Sequence, residues 1–141
     1  MVATVNASVQ DGWRMTLDFS IPVLVVDDYR AVARIIGRLL NQAGFQDVDE
    51  ATDGEEALSK MRQRKYGLVL SDWHMTPTSG IELLQQAKAD AALRDTPFIL
   101  VSAEESAENL AVARKAGASG YVVKPFDAHT LRARIANALR G

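Results

Sequence analysis

The sequence predicts an α/β domain: a five-stranded parallel sheet in the order 2-1-3-4-5, doubly wound with five helices. Five short apolar runs, which are bounded by turn-forming residues and too short for helices, alternate with longer segments of helical period. Parallel neighbours need helix-length, right-handed connections, so the alternation favours a parallel sheet with helices on both faces.

Each element has its own signal in the chain. Strands are predicted at residues 22–26, 46–51, 67–71, 97–102 and 120–123. The helices that follow them are predicted to end near residues 44, 64, 92, 117 and 139, and the fourth helix is predicted to begin at Ala103. The second strand alternates polar and apolar residues and suits a sheet edge. Gly44 and Gly117 are expected to end their helices, and Ser79 and Asp127 are expected to cap theirs.

The first residues lie outside this alternation. We interpret residues 1–19 as a flexible N-terminal extension, whose apolar side chains include Trp13, Leu17 and Phe19. Residues 20–141 are predicted to form the folded domain.

Composition excludes several function classes. The 141 residues suffice for one domain with a proper core. Sixteen basic and eighteen acidic residues give a net charge of −2 without a polybasic run, so we expect no nucleic-acid partner. No apolar run approaches the roughly 18 residues of a membrane span, and the N terminus lacks the features of a signal peptide. A cytoplasmic protein without a membrane partner is expected. The absence of cysteine excludes disulfides and thiol catalysis.

Charged and hydroxyl side chains collect at the predicted carboxyl ends of the strands. Strand one ends in Asp27 and Asp28, strand three in Asp72, strand four in Ser102, and strand five in Lys124. In this strand order, ligands bind where the order reverses, between strands one and three. Three neighbouring carboxylates repel one another unless cations balance them, and oxygen ligands suit Mg²⁺.

The same residues suggest phosphoryl chemistry. Together with Mg²⁺, Lys124 and Ser102 would hold the oxygens of a phosphoryl group. Aspartate serves elsewhere as a covalent phosphoryl acceptor, and Asp72 lies between the acidic pair and the lysine in the predicted sheet. Asp72 is therefore the candidate nucleophile.

These motifs resemble those of the response-regulator receiver family, and in particular its single-domain chemotaxis regulators. The resemblance covers about residues 21–140, with the motifs in the family's order and spacing. It rests on the segments VLVVDDYRAVARIIGRLL, DGEEAL, YGLVLSDWHM, ILVSAE and AENLAVARKAGASGYVVKPF.

The resemblance implies a metal site and a phosphorylation site. Asp27 and Asp28 would bind Mg²⁺ together with Asp72 and the backbone carbonyl of His74. Asp72 would be phosphorylated by a sensor histidine kinase or a phosphotransfer protein. Apart from this self-catalysed uptake and subsequent autodephosphorylation, no enzymatic activity is implied.

The resemblance also implies a switch and an output surface. Lys124 and Ser102 would contact the phosphoryl group, Tyr121 would be the aromatic switch residue together with Ser102, and the Lys124–Pro125 peptide would be cis. A downstream protein would bind the face formed by helix four, strand five and helix five.

Some positions depart from the family pattern. Pro77 stands one residue later than usual, and Ser79 replaces an acidic residue before Gly80. Ser106 and Ala107 stand where regulators that bind the flagellar switch carry lysines. The target is therefore left open.

Alternatives remain at this stage. A phosphorylation-independent adaptor would be favoured by a broken acidic pair or a missing lysine, and neither is observed. A phosphate-sink or shuttle receiver would use the same residues. A haloacid-dehalogenase-type phosphotransferase would need an aspartate two residues after the nucleophile, where His74 stands. For the His74 side chain we favour a surface position beside the phosphate over a metal-binding role, since Mg²⁺ prefers oxygen.

Overall fold

The computed structural model describes residues 17–140, which form five parallel strands and five helices in alternation. In chain order these are β1 Val23–Val26, α1 Arg30–Ala43, β2 Val48–Ala51, α2 Gly54–Gln63, β3 Leu68–Asp72, α3 Gly80–Ala89, β4 Phe98–Ser102, α4 Ala107–Ala116, β5 Gly120–Val123 and α5 Ala128–Arg140. The sheet order is β2-β1-β3-β4-β5 and every pair is parallel. The predicted fold class is confirmed.

Both faces of the sheet are covered, which explains why β1, β3 and β4 are buried along their whole length. Alternate strand residues face two separate cores: Val23 and Val25 pack with α1 and α5, and Leu24 and Val26 pack with α2, α3 and α4. No helix within residues 17–140 combines the length and apolar character needed to cross a membrane.

Strand register determines which side chains meet at the carboxyl edge of the sheet. Val26 of β1 pairs with Ser71 of β3, so the next residues, Asp27 and Asp72, stand at the same level. Asp72 in turn pairs with Val101 of β4. Asp27, which follows β1, and Asp72, which ends β3, are thus neighbours at the carboxyl edge of the sheet.

Helix ends mostly follow the predicted signals. Ser79 forms a capping box with Glu82, and the Asp127 side chain accepts from the Thr130 backbone N–H at 2.8 Å. Gly44 (φ 121°) and Gly117 (φ 98°) end α1 and α4 in a conformation that favours glycine.

Three predicted boundaries are wrong. α3 ends at Ala89, not near residue 92, because residues 91–95 turn instead, with the Asp90 side chain accepting from the backbone N–H of Ala92 at 2.9 Å. α4 begins at Ala107, not at 103, because the Ser106 side chain caps it. β2 begins at Val48, two residues later than predicted, whereas Asp72 ends β3 as expected.

The packed part of the chain begins before residue 20. The Phe19 ring lies 5.0 Å from the Phe45 ring, and the Arg132 guanidinium carbon is 5.0 Å from the centre of Phe19. Leu17 also packs against the core. The last residues of the predicted extension are therefore part of the domain, whereas residues 1–16, including Trp13, lie outside the described residues.

A charged cluster at the amino edge of the sheet joins β2 to the end of α2. Arg64 pairs with Asp47 and Asp49, with 2.9 Å to Asp49 Oδ2, and the Tyr66 hydroxyl donates to the same oxygen at 2.6 Å. Hydrogen bonding from Tyr66 lowers the pKa of Asp49, and both aspartates raise the pKa of Arg64. Burial and the Asp49 carboxylate raise the pKa of Tyr66 to about 12. We call Asp47, Asp49, Arg64 and Tyr66 the Arg64 cluster.

Candidate functional site

Three carboxylates and a lysine meet at the carboxyl edge of the sheet. Asp27 and Asp28 follow β1, Asp72 ends β3, and Lys124 follows β5. One oxygen from each aspartate lies within 4.8 Å of the others. Lys124 Nζ is 3.0 Å from Asp72 Oδ1 and 3.6 Å from Asp27 Oδ2. The structure thus brings together four residues that the sequence placed at one edge, and we call them the acidic cluster.

Burial dominates the electrostatics of the acidic cluster. Asp27 is 1% exposed and Asp72 is 8% exposed. Desolvation raises the pKa of Asp27, as do the charges of Asp72 and Asp28, against the opposing effects of the Tyr29 backbone N–H and Lys124. Desolvation alone would lower the pKa of Lys124, but its hydrogen bond to Asp72 and the nearby carboxylates leave that pKa above its usual value. One lysine does not balance three carboxylates.

The donor set fits a hard divalent cation. Asp27 Oδ2 and Asp28 Oδ1 are buried and accept no hydrogen bond from any residue between 17 and 140. Such oxygens cost free energy unless a ligand pairs with them, and carboxylate oxygens are what Mg²⁺ prefers. His74 is exposed, and its side chain is not among the acidic groups that converge. The role of its backbone carbonyl as a metal ligand stays a prediction.

A glycine lets α3 close on the backbone beside Asp72. The Gly80 N–H donates to the Trp73 carbonyl at 2.8 Å, and a Cβ on Gly80 would lie only 2.2 Å from the Asp72 carbonyl oxygen. Within the intervening loop the Thr76–Pro77 peptide is cis, which was not predicted. The predicted cis peptide between Lys124 and Pro125 is confirmed.

Ser102 and Tyr121 are joined through the backbone of one residue, Glu104. Ser102 is fully buried, and its Oγ accepts from the Glu104 N–H at 3.1 Å. The Tyr121 hydroxyl donates to the Glu104 carbonyl, and the Tyr121 ring meets Trp73 edge-on at 5.9 Å between centroids. Sequence reasoning missed Glu104, because it acts through backbone groups that any residue type supplies.

Sequence comparison identifies a family over most of the chain. The response regulator receiver domain matches residues 23–136. Chemotaxis protein CheY-3 of Vibrio cholerae is 37% identical over 119 residues, which are 84% of this chain and 92% of that protein. Chemotaxis protein CheY of Pseudomonas aeruginosa is 39% identical over 113 residues, which are 80% of this chain and 91% of that protein.

Solved structures agree in fold. Vibrio cholerae CheY4, crystallised at low pH, superposes with a TM-score of 0.76 at 30% identity and covers 82% of this chain and 96% of its own. The receiver domain of the Francisella response regulator 1452 gives a TM-score of 0.76 at 32% identity, covering 85% of this chain and 97% of its own. With the strand order and the matched sequence in agreement, this chain belongs to the response-regulator receiver family and is homologous to the chemotaxis response regulators.

Proposed function

We propose that this receiver accepts a phosphoryl group on Asp72 from a phosphohistidine of a sensor kinase or a phosphotransfer protein, and signals by contact with a target protein in the cytoplasm. The observation that carries the proposal is the 3.0 Å contact between Lys124 Nζ and Asp72 Oδ1 at the rim of the three-carboxylate cluster. An adaptor that is never phosphorylated would have no use for this buried excess of negative charge.

The reaction follows from the positions of these side chains. A carboxylate oxygen of Asp72 attacks phosphorus, the P–N bond breaks, and the imidazole nitrogen leaves with the bonding electron pair. Lys124, already beside Asp72, pairs with a phosphoryl oxygen as charge builds on it. Mg²⁺ bound by Asp27, Asp28, Asp72 and the His74 carbonyl would supply the positive charge that one lysine does not. Water later hydrolyses the acyl phosphate. Self-catalysed phosphoryl uptake and this autodephosphorylation are the only catalysis that we assign.

The switch would begin at Ser102. Its Oγ accepts from the Glu104 N–H, which leaves the hydroxyl hydrogen free to donate to a phosphoryl oxygen. Movement of Ser102 toward that group would pull on Glu104, whose carbonyl also holds Tyr121. Phosphorylation of Asp72 would thereby shift the conformational equilibrium of the surface formed by α4, β5 and α5, to which the target binds. A phosphate-sink role would use the same uptake without a target.

Intact-mass measurement tests the proposal. Incubation with acetyl phosphate and Mg²⁺ should add one phosphate to the wild type, and chelation of the metal should prevent it. Asp72→Asn should not be labelled, whereas Asp49→Asn, a matched change in the Arg64 cluster, should label normally. Labelling of Asp72→Asn at the wild-type rate would remove this residue from the mechanism.

A further inference from the structure

A cavity lies at the amino edge of the sheet, at the opposite edge from the acidic cluster. It measures about 270 Å³ and is bordered by the end of α2, the residues that follow it as far as Tyr66, and the turn between α3 and β4. Tyr66 precedes β3 and Asp72 ends it, so a strand rise of about 3.3 Å per residue places Asp72 roughly 20 Å from the cavity. We call this cavity the α2 cavity.

The floor of the α2 cavity is apolar and belongs to the core. Met61, Tyr66 and Leu93 line it, and each is only 4% or 5% exposed. The Tyr66 ring is fixed, because its hydroxyl donates to Asp49 Oδ2 at 2.6 Å. The unbranched thioether of Met61 adapts its shape readily and makes favourable contacts with aromatic rings. The floor therefore suits a flat apolar group.

The rim of the α2 cavity presents positive charge. Three of its nine lining residues are arginine or lysine, and none is acidic. Arg62 Nη2 lies 3.5 Å from Asp90 Oδ2, and 57% of the Arg62 side chain is exposed, so this pair contributes little to stability. Lys65 is exposed and forms no ion pair with another residue between 17 and 140. Arg62 and Lys65 are thus available to an anion.

Arg64 forms a fixed wall of the α2 cavity. It donates three hydrogen bonds to Asp47 and Asp49, neither of which lines the cavity, and its guanidinium carbon lies 5.6 Å from the centre of the Tyr66 ring. Two of its five N–H groups are left for another acceptor. Because this wall is in place before a ligand arrives, little entropy is lost in ordering it.

Other classes of ligand explain fewer of these features. A metal ion would meet three cations and no carboxylate among the lining residues. Inorganic phosphate would explain the cations but not the apolar floor. A nucleic acid duplex binds through many phosphate contacts, whereas the cavity offers three cations. An anion attached to a flat apolar body explains both the floor and the rim.

From these observations we infer that the α2 cavity binds a small aromatic carboxylate. Its ring would lie on Met61, Tyr66 and Leu93, and its carboxylate would lie between Arg62 and Lys65. The volume of about 270 Å³ is just below the roughly 300–1,000 Å³ of ordinary ligand sites, so a ligand of one or two rings is expected. The inference is independent of phosphoryl transfer to Asp72.

Titration of the full chain with 2-naphthoate, followed by amide proton–nitrogen correlation spectra, tests the inference. The comparison ligands are 2-naphthamide, which keeps the rings without the charge, and inorganic phosphate, which keeps a charge without the rings. Arg62→Gln/Lys65→Gln removes both available cations, and Ala92→Trp places a large side chain at an exposed lining position. The matched control is Arg114→Gln/Lys115→Gln, which removes two neighbouring exposed cations at the end of α4.

The expected result is saturable binding of 2-naphthoate, with shifts confined to the amides of residues 61–66 and 92–96. Arg62→Gln/Lys65→Gln should weaken binding about tenfold, because charge-assisted hydrogen bonds are lost, and 2-naphthamide should bind the wild type about as weakly. Ala92→Trp should abolish binding, and the control variant should stay within about twofold of wild type. If thermal unfolding shows that Ala92→Trp does not fold, the charge variant alone decides.

Several results would overturn the inference. These are the absence of saturable binding at about 10 mM 2-naphthoate, equal affinity for 2-naphthamide or for phosphate, unchanged binding to the charge variant, and an equal loss in the control. An acidic peptide with one tryptophan that binds the α2 cavity where 2-naphthoate does not would also overturn it, in favour of a protein partner.

Discussion

The acidic cluster and the Arg64 cluster lie at opposite edges of the same sheet and differ in how far their negative charges are compensated. At the amino edge, Arg64 donates to both aspartates, Tyr66 donates to Asp49, and the three charged side chains are partly exposed. At the carboxyl edge, one lysine contacts two of the three aspartates, and two buried carboxylate oxygens accept no hydrogen bond within the described part of the chain. Similar residue types therefore form a satisfied cluster at one edge and an unsatisfied one at the other.

The difference separates a structural cluster from a functional one. A paired surface cluster contributes modestly to folding, because water already solvates its charges. An unpaired buried carboxylate reduces the stability of the fold. Such a group is found where its uncompensated charge binds a ligand. The acidic cluster is thus expected to gain stability from a bound cation, whereas the Arg64 cluster, whose charges are already paired, is not.

The largest expected effect is stabilisation by Mg²⁺. At a concentration one hundred times its Kd, Mg²⁺ should raise the free energy of unfolding by about 2.7 kcal/mol, since it binds the folded state alone. Urea denaturation with Mg²⁺ and with EDTA measures this difference. Asp28→Asn should remove most of the gain and Asp49→Asn should keep it. Equal stabilisation of both variants would place the metal outside the acidic cluster.

A smaller effect is expected from the Arg64 cluster at high pH. Folded Tyr66 holds its proton to a pKa of about 12, whereas the unfolded chain releases it near pH 10. Between these values the folded state binds more protons, so stability present below pH 10 should fall by about 2 kcal/mol as pH rises toward 12.

Urea denaturation between pH 9 and pH 11.5 measures that slope. Tyr66→Phe should flatten it, and Tyr29→Phe, which alters a tyrosine that is 70% exposed, should not. An unchanged slope in Tyr66→Phe would show that other groups cause the loss.

Neutralising one aspartate in each cluster should change stability in opposite directions. In EDTA, Asp28→Asn should stabilise the protein by about 1 kcal/mol, because it removes repulsion and adds an N–H donor among unsatisfied oxygens. Asp49→Asn should destabilise it by about 1 kcal/mol, because Arg64 and Tyr66 lose a charged acceptor. Thermal unfolding of the wild type and of both variants at one pH measures the sign of each change in stability. A shift of the same sign in both would contradict the contrast between the clusters.

The two clusters also differ in how far sequence reveals them. The acidic cluster was predictable because parallel strands bring their carboxyl ends to one edge, so Asp27, Asp72 and Lys124 converge once the strand order is known. The Arg64 cluster was not predicted. Its members meet only through the position where α2 ends, and Arg64 lies 17 residues from Asp47.

Backbone interactions were the other part that sequence did not reveal. Periodicity located all five strands and the glycines that end α1 and α4, because those signals are local. The link from Ser102 through Glu104 to Tyr121 uses an N–H and a carbonyl, for which no residue type is diagnostic. The end of α3 was misplaced for a related reason, since residues 91–95 continue an apolar and charged pattern while turning.

The smallest expected effect concerns His74, at the exposed rim of the acidic cluster. Its ring lies 6.4 Å from the ring of Trp73 and is exposed. If only its carbonyl binds the metal, His74→Ala should change Mg²⁺ affinity less than about threefold, which is below roughly 1 kcal/mol. The same change should speed dephosphorylation, because a bulky imidazole beside the acyl phosphate hinders water and, when protonated, pairs with phosphoryl oxygens.

Two measurements on His74→Ala distinguish the role of the His74 backbone carbonyl from that of its side chain. Fluorescence titration with Mg²⁺ in a Trp13→Phe background, where Trp73 is the one remaining tryptophan, gives the metal affinity. The decay of phospho-Asp72, followed by intact mass, gives the lifetime. A large loss of affinity would make the imidazole a metal ligand and add nitrogen to an otherwise all-oxygen site. Slower decay would mean that the ring positions the attacking water, so that the rim of the acidic cluster takes part in the chemistry and does not merely shield it.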